Sequence, residues 1–217
     1  MTKHQMKEDK WVSTTFKTTE YIRQNQSMFI TVIIALIVIF AAVSFFRWNS
    51  AKKRTDAENS MARAEMEMAM GQMDQYVADL QNVVGNYGGT ASARIACFSL
   101  ANLFFNNKQY DKAEQYFRKV LSDYSSDKMM AASSAAGIGE CLELKGDNAG
   151  AAKMFQQAAD FNSGDLWTPG YLLKAGHAYA KSGDKKSAQA AFDQISTEYP
   201  NSTEASAARR SLSEISQ

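Results

Sequence analysis

From Met28 to Phe46 the chain reads MFITVIIALIVIFAAVSFF, without a charge, a proline or a glycine, and only Thr31 and Ser44 carry hydroxyls. As a helix rising about 1.5 Å per residue, this run covers roughly 28 Å, close to the ~30 Å hydrocarbon core of a bilayer. A core helix so uniformly apolar needs neighbours on every side, which a small domain lacks. A cleaved secretory signal has a shorter apolar stretch nearer the N-terminus and a small-residue cleavage site, whereas this run ends Phe45-Phe46-Arg47-Trp48. The pattern predicts a single transmembrane helix over 28–46. Trp48, Arg47 and the group Lys52-Lys53-Arg54 suit an interfacial belt backed by charge. A short tail is expected over 1–27 and a helical linker over 47–56. Asn49-Ser50 is the place where that linker could break from the span.

Beyond the linker the hydrophobic positions recur at offsets of 37 to 38 residues. Gly71, Gly146 and Gly183 fall in register, with Lys108 at the fourth equivalent place. Five residues after each come Tyr76, Ala113, Ala151 and Ala188, then Leu80, Phe117, Phe155 and Phe192, then Tyr87, Tyr124, Asn162 and Tyr199. Before the turn, Ala64, Ala101, Gly139 and Gly176 align, and three residues later Glu67 breaks a series continued by Phe104, Leu142 and Tyr179. Period and spacing describe a helical hairpin repeated four times. Small residues let two helices cross closely, a large apolar side chain one turn on fills the adjoining space, and glycine at the turn adopts the left-handed backbone that ends the first helix. Asp147 and Asp184 are placed to cap the second helices, and Pro169 to open a first helix behind Thr168. The units fall at 57–93, 94–131, 132–168 and 169–205, with a capping helix over 206–217. Strand signals are nearly absent, so the fold class is all-α: an N-terminal membrane helix followed by an α-solenoid of hairpins.

Composition narrows the chemistry. The formal net charge is +1, with 24 basic against 23 acidic side chains, which offers no basic face for nucleic acid. Cys97 and Cys141 lie on apolar faces out of register and read as buried thiols. With two distant histidines they form no metal spacing. No phosphate loop or nucleophile motif is present, and Gly137-Ile138-Gly139-Glu140 reads as packing at a helix crossing. No enzyme activity, cofactor, metal or small-molecule substrate is expected.

This pattern resembles the tetratricopeptide repeat, although the units are longer and lack its usual tryptophan. In that family the first helices line a concave groove. The matching positions imply a groove formed by Met61, Glu65 and Met68, by Phe98, Asn102 and Phe105, by Glu140 and Glu143, and by His177 and Lys181. Such a groove is apolar at its first units and polar further out, which suits an extended or helical polypeptide with an apolar segment. Core packing competes as the role of the two phenylalanines, and it is the expected role of the run Met61, Met66, Met68, Met70 and Met73. His177 is expected to be solvated or hydrogen-bonded.

The short tail with EYIRQNQ, the span ending Arg47-Trp48-Asn49-Ser50, the alanine- and methionine-rich helix, Asn86-Tyr87-Gly88, Trp167 and Lys181-Ser182-Gly183-Asp184-Lys185 together resemble the YfgM family of bacterial inner-membrane proteins. That resemblance implies a cytoplasmic N-terminus, a periplasmic repeat domain, and an accessory role beside the SecYEG translocon. There the domain would pass secretory polypeptides to periplasmic chaperones. Two alternatives stay open. The segment YPNSTEASAARRSLSEI is similar to periplasmic cell-division coordinators, which points to an envelope scaffold, and Lys52-Lys53-Arg54 suits a cytosol-facing receptor.

Overall fold

The computed structural model of the protein describes residues 21, 23–161, 164 and 166–215, and among these the regular structure is entirely helical. Two compact units divide at Lys52/Lys53.

In the first unit, α1 (Gln26–Ala69) carries the apolar run, and none of its most apolar stretch is buried. Leu36, Phe40 and Phe46 are each 60% or more exposed. This helix is long and apolar enough to cross a membrane. It passes Asn49-Ser50 without a break and continues into the second unit. Near the end of the apolar run, Phe45 lies against Phe46 and Trp48, and the Lys52 ammonium sits 5.9 Å from the Trp48 ring.

The second unit stacks antiparallel hairpins. The end of α1 pairs with α2 (Met73–Asn86), α3 (Ala91–Asn106) with α4 (Tyr110–Tyr124), α5 (Lys128–Leu144) with α6 (Asn148–Phe161), and α7 (Thr168–Lys181) with α8 (Lys185–Glu198). Helix α9 (Glu204–Ile215) closes the stack. Three buried clusters succeed one another along it. Leu80, Val83, Leu100, Phe117 and Val120 lead the first, Ala151, Phe155 and Ala175 the second, and Leu172, Phe192 and Ile195 the third. Ala205 and Ala208 of α9 complete the last, covering an apolar face that would otherwise meet water.

One geometry repeats at all four hairpin turns. Gly71, Lys108, Gly146 and Gly183 have φ of 75°, 59°, 87° and 87°. The next amide in each case donates back to the carbonyl five residues earlier: Gln72 to Glu67, Gln109 to Phe104, Asp147 to Leu142 and Asp184 to Tyr179, at 2.8–2.9 Å. This is the Schellman ending, in which a left-handed residue lets the chain reverse while satisfying the last carbonyls. Lys108 adopts that conformation despite its Cβ, a strain the other turns avoid with glycine.

The small residues sit where close approach demands them. A Cβ added at Gly139 would lie 2.7 Å from the Phe155 ring, one at Gly176 would lie 2.4 Å from Phe192, and one at Gly137 would lie 2.6 Å from Phe117. Phe155 and Phe192 are fully buried as a result. The aligned tyrosines also tie neighbouring units: Tyr124 Oη accepts from the Gly89 amide at 3.3 Å, and Tyr199 Oη accepts from the Gly164 amide at 3.2 Å, each one repeat away. Asn162, the exception in that series, lies outside the described residues.

Two expectations need correction. The methionines do not fill the core: Met66, Met68, Met70 and Met73 are 44–59% exposed, and only Met61 packs against the first cluster. Leu80, Val83 and Ala64 already occupy that space, and four of the five methionines fall on the helix surface or in the turn. Lys128–Met130 form the first turn of α5, because the Asp127 carboxylate accepts from the Met130 amide at 3.1 Å and caps it. Thr168 is the first residue of α7, and Trp167 occupies the capping position without a side-chain bond.

Candidate functional site

The ten anticipated groove residues all lie on the first helices of the hairpins, and they differ in what they touch. On α3, Ile95, Phe98, Asn102 and Phe105 share one face at spacings of three and four. Phe98 is half-buried and meets the Phe117 ring edge-on at 5.9 Å, while Phe105 lies 5.7 Å from Tyr110. Each ring thus rests on the core with part of its surface in solvent, so core and surface roles coincide. The Asn102 side-chain amide donates to the Phe98 carbonyl at 3.0 Å and is thereby turned along its own helix. On α1, Met61 is half-buried while Glu65 and Met68 are exposed.

Further along, the charged positions are paired across the repeat boundary. Lys174 of α7 bonds Glu140 of α5, and Lys181 bonds Glu143. Of the ten, Glu143 and Lys181 are brought into direct contact. These partially exposed pairs contribute little to stability but cancel the carboxylate charge. His177 is exposed, its ring 5.2 Å from Phe192 and edge-on to it. The face therefore carries apolar rings on α3 and neutralised ion pairs on α5 and α7.

Sequence reasoning missed three members of this face. Ile95 is 44% exposed, Leu144 is 56% exposed beside Glu143, and Lys174 supplies the cation for Glu140. The signal for each was helical spacing from an assigned residue: three before Phe98, four after Glu140 and three before His177.

A separate polar cluster sits in the first hairpin. Arg63 grips Asp79 with two bonds, Nε to Oδ2 at 2.7 Å and Nη2 to Oδ1 at 3.0 Å, and Asp79 is 5% exposed. That guanidinium holds the Asp79 carboxyl below its ordinary range. Glu67 occupies the position where the other units place Phe104, Leu142 and Tyr179, and its Oε2 is shut from solvent with no hydrogen-bond partner of ordinary geometry among the described residues. Burial, and then the neighbouring Asp79, raise the Glu67 carboxyl above the usual glutamate range. Elsewhere, Lys145 joins Asp111 at 2.7 Å and Glu114 at 3.1 Å across successive hairpins.

Cys97 and Cys141 are free, buried thiols, each pushed by burial up to about 11. At neutral pH neither supplies the thiolate that redox or nucleophilic chemistry requires. Among the described residues no group of histidine, cysteine and carboxylate side chains is placed to hold a metal ion.

A model of the tetratricopeptide repeat-like domain matches residues 19–215. No curated protein matches the chain in sequence. Among solved structures, the MamA protein is 14% identical, with a TM-score of 0.52 over 66% of this chain and 73% of its own. A protein described as a kinesin light chain of nearly identical TPR-like repeats, from Podosopora anserina, is 16% identical, with a TM-score of 0.52 over 73% of this chain and 84% of its own. BtubC from P. vanneervenii is 18% identical, with a TM-score of 0.51 over 64% of this chain and 61% of its own. At these identities the likeness is one of fold.

Proposed function

Because the chain belongs to the tetratricopeptide repeat-like domain family, we propose that it is a membrane-tethered protein-binding module whose first-helix face holds polypeptide segments. The observation that carries this reading is the row on α3, where exposed Ile95 and half-buried Phe98 and Phe105 present apolar surface on one helix face. Such a row fits the apolar part of an incoming chain. The neutralised pairs Glu140–Lys174 and Glu143–Lys181 then continue the face without a strong charge preference. Anchoring by α1 raises the local concentration of any segment emerging at the same membrane.

The specific assignment rests on the resemblance to the YfgM family. On it, the first-helix face lies in the periplasm beside the SecYEG translocon and passes secretory polypeptides to periplasmic chaperones. A photo-crosslinker placed at Phe98 or Phe105 in intact bacterial membranes tests it. Recovery of translocon subunits together with varied secretory chains is expected. A single fixed partner from the division or wall machinery would instead support the scaffold alternative. A reporter fused after Gln217 that works only when exported tests orientation, and a signal solely from a cytoplasmic reporter would replace the periplasmic reading with the cytosol-facing receptor.

A further inference from the structure

Away from the first-helix face, a cavity of about 730 Å³ opens where three elements meet: the start of α7, the end of α8 and the start of α9. Its walls include Trp167, Pro169, Tyr199 and Pro200, so both prolines of the chain border it. Glu198 and Glu204 also line it. Trp167 is 62% exposed, an unusual position for an indole that packing alone does not require.

The polar groups here have spare capacity. Tyr199 Oη accepts from the Gly164 amide, and among the described residues its own hydrogen has no acceptor. The Trp167 indole N–H likewise has none. Glu198 accepts from the Gln194 amide at 3.0 Å and Glu204 from the Thr203 hydroxyl at 2.9 Å, yet no described cation pairs with either carboxylate. The cavity thus offers two hydrogen-bond donors, flat apolar walls and two carboxylates that no described cation compensates.

We infer that this cavity, bounded by Trp167, Tyr199 and the two prolines, is a second binding site, for a proline-rich polypeptide segment in the polyproline II conformation that carries a basic residue. Such a segment has no internal hydrogen bonds and few N–H groups, so its backbone asks for donors, and donors are what Trp167 and Tyr199 supply. Its pyrrolidine rings stack on aromatic and proline faces, and its cation answers Glu198 and Glu204. An added β-strand is a poorer occupant, since the surrounding elements are helices without an open ladder. The two carboxylates repel an anionic lipid surface.

The test uses the full chain in zwitterionic nanodiscs, with Trp11→Phe and Trp48→Phe leaving Trp167 as the only indole. A short polyproline peptide ending in arginine should shift Trp167 emission saturably, with Kd below about 1 mM. Replacing its arginine by glutamate should weaken binding by about tenfold or more. Glu198→Gln with Glu204→Gln should abolish that preference, and Trp167→Ala should remove binding as read by calorimetry while circular dichroism stays unchanged. Phe98→Ala should leave this binding intact, which separates the site from the first-helix face. No saturation by about 1 mM would overturn the proposal. So would undiminished binding by Trp167→Ala, or an emission shift produced equally by phosphatidylglycerol vesicles.

Discussion

Hairpins three and four differ from hairpins one and two at the helix crossing and at the cap, and from hairpin two at the turn as well. In the later pair the crossing residue is glycine against a buried phenylalanine, the turn residue is glycine, and the residue after it is an aspartate that caps the next helix: Asp184 accepts from the Ser187 amide at 3.0 Å and Asp147 from the Gly150 amide at 2.8 Å. In the earlier pair the crossing residue is Ala64 or Ala101, Lys108 strains one turn, and Gln72 and Gln109 make no capping bond. The first hairpin also holds Glu67 where its siblings hold rings or leucine, and Glu67 lies beside the carboxylate of Asp79. The lesson is that one backbone plan tolerates quite different local energetics. The regular half pairs glycine crossings with aspartate caps, and the irregular half carries the titratable cluster.

The sharpest way to break this comparison is Phe155→Ala. Removing a fully buried ring from the second cluster should destabilise the domain by about 3–5 kcal/mol in urea unfolding. A loss below about 1 kcal/mol would show that the ring is not the knob between the two helices. Next comes Gly176→Ala, whose new methyl would meet Phe192 at 2.4 Å and should cost about 1–3 kcal/mol. Ala101 already carries that methyl one half of the stack earlier, so Ala101→Gly should bring no packing relief.

Capping gives smaller effects of opposite sign in the two halves. Asp184→Ala should lose about 1 kcal/mol, while Gln109→Asp should gain up to about 1 kcal/mol by supplying a cap that hairpin two lacks. Lys108→Gly should add less than about 1 kcal/mol, relief of the left-handed strain being partly offset by a looser unfolded chain. All three are read from thermal or urea midpoints.

The subtlest effect is a dependence on pH. The folded chain holds the Glu67 proton more tightly than the unfolded chain does. Its contribution to stability is therefore complete below the ordinary glutamate pKa of about 4.3 and is lost as pH rises through the raised folded value. Asp79 works in the opposite sense: its stabilisation is present above the ordinary aspartate pKa and disappears as pH falls through the depressed folded value. Stability should rise on acidification from neutrality toward the glutamate range and then decline. Glu67→Gln should flatten the first limb and spare the second, and an unchanged profile would remove Glu67 as its source.

What the sequence revealed follows the same division. The apolar run and the glycine–aspartate turns are local signals, and the all-helical solenoid with its long apolar helix could be read from them. The exposed methionines could not, because periodicity places a side chain on a face without saying whether another helix covers it. Glu67 stood out as a break in a series, but Asp79, its partner twelve residues on, bears no mark of burial in its own segment. The tyrosine register was visible while its purpose was not: Tyr124 and Tyr199 clamp amides one repeat back, at Gly89 and Gly164, a contact that exists only once hairpins stack. The pairings of Glu140 with Lys174 and of Glu143 with Lys181 were hidden for the same reason, since each partner lies about one period away.

The central claim is that first helices, and not second helices, hold polypeptide at a membrane. Hydrogen–deuterium exchange on the full chain in nanodiscs, with and without an unfolded secretory polypeptide, tests it directly. The account predicts added protection on α3 around Phe98, Asn102 and Phe105, and on α5 and α7 around Glu140 and His177, with α4, α6 and α8 unchanged. Protection confined to the second helices, or none at saturating polypeptide, would contradict it.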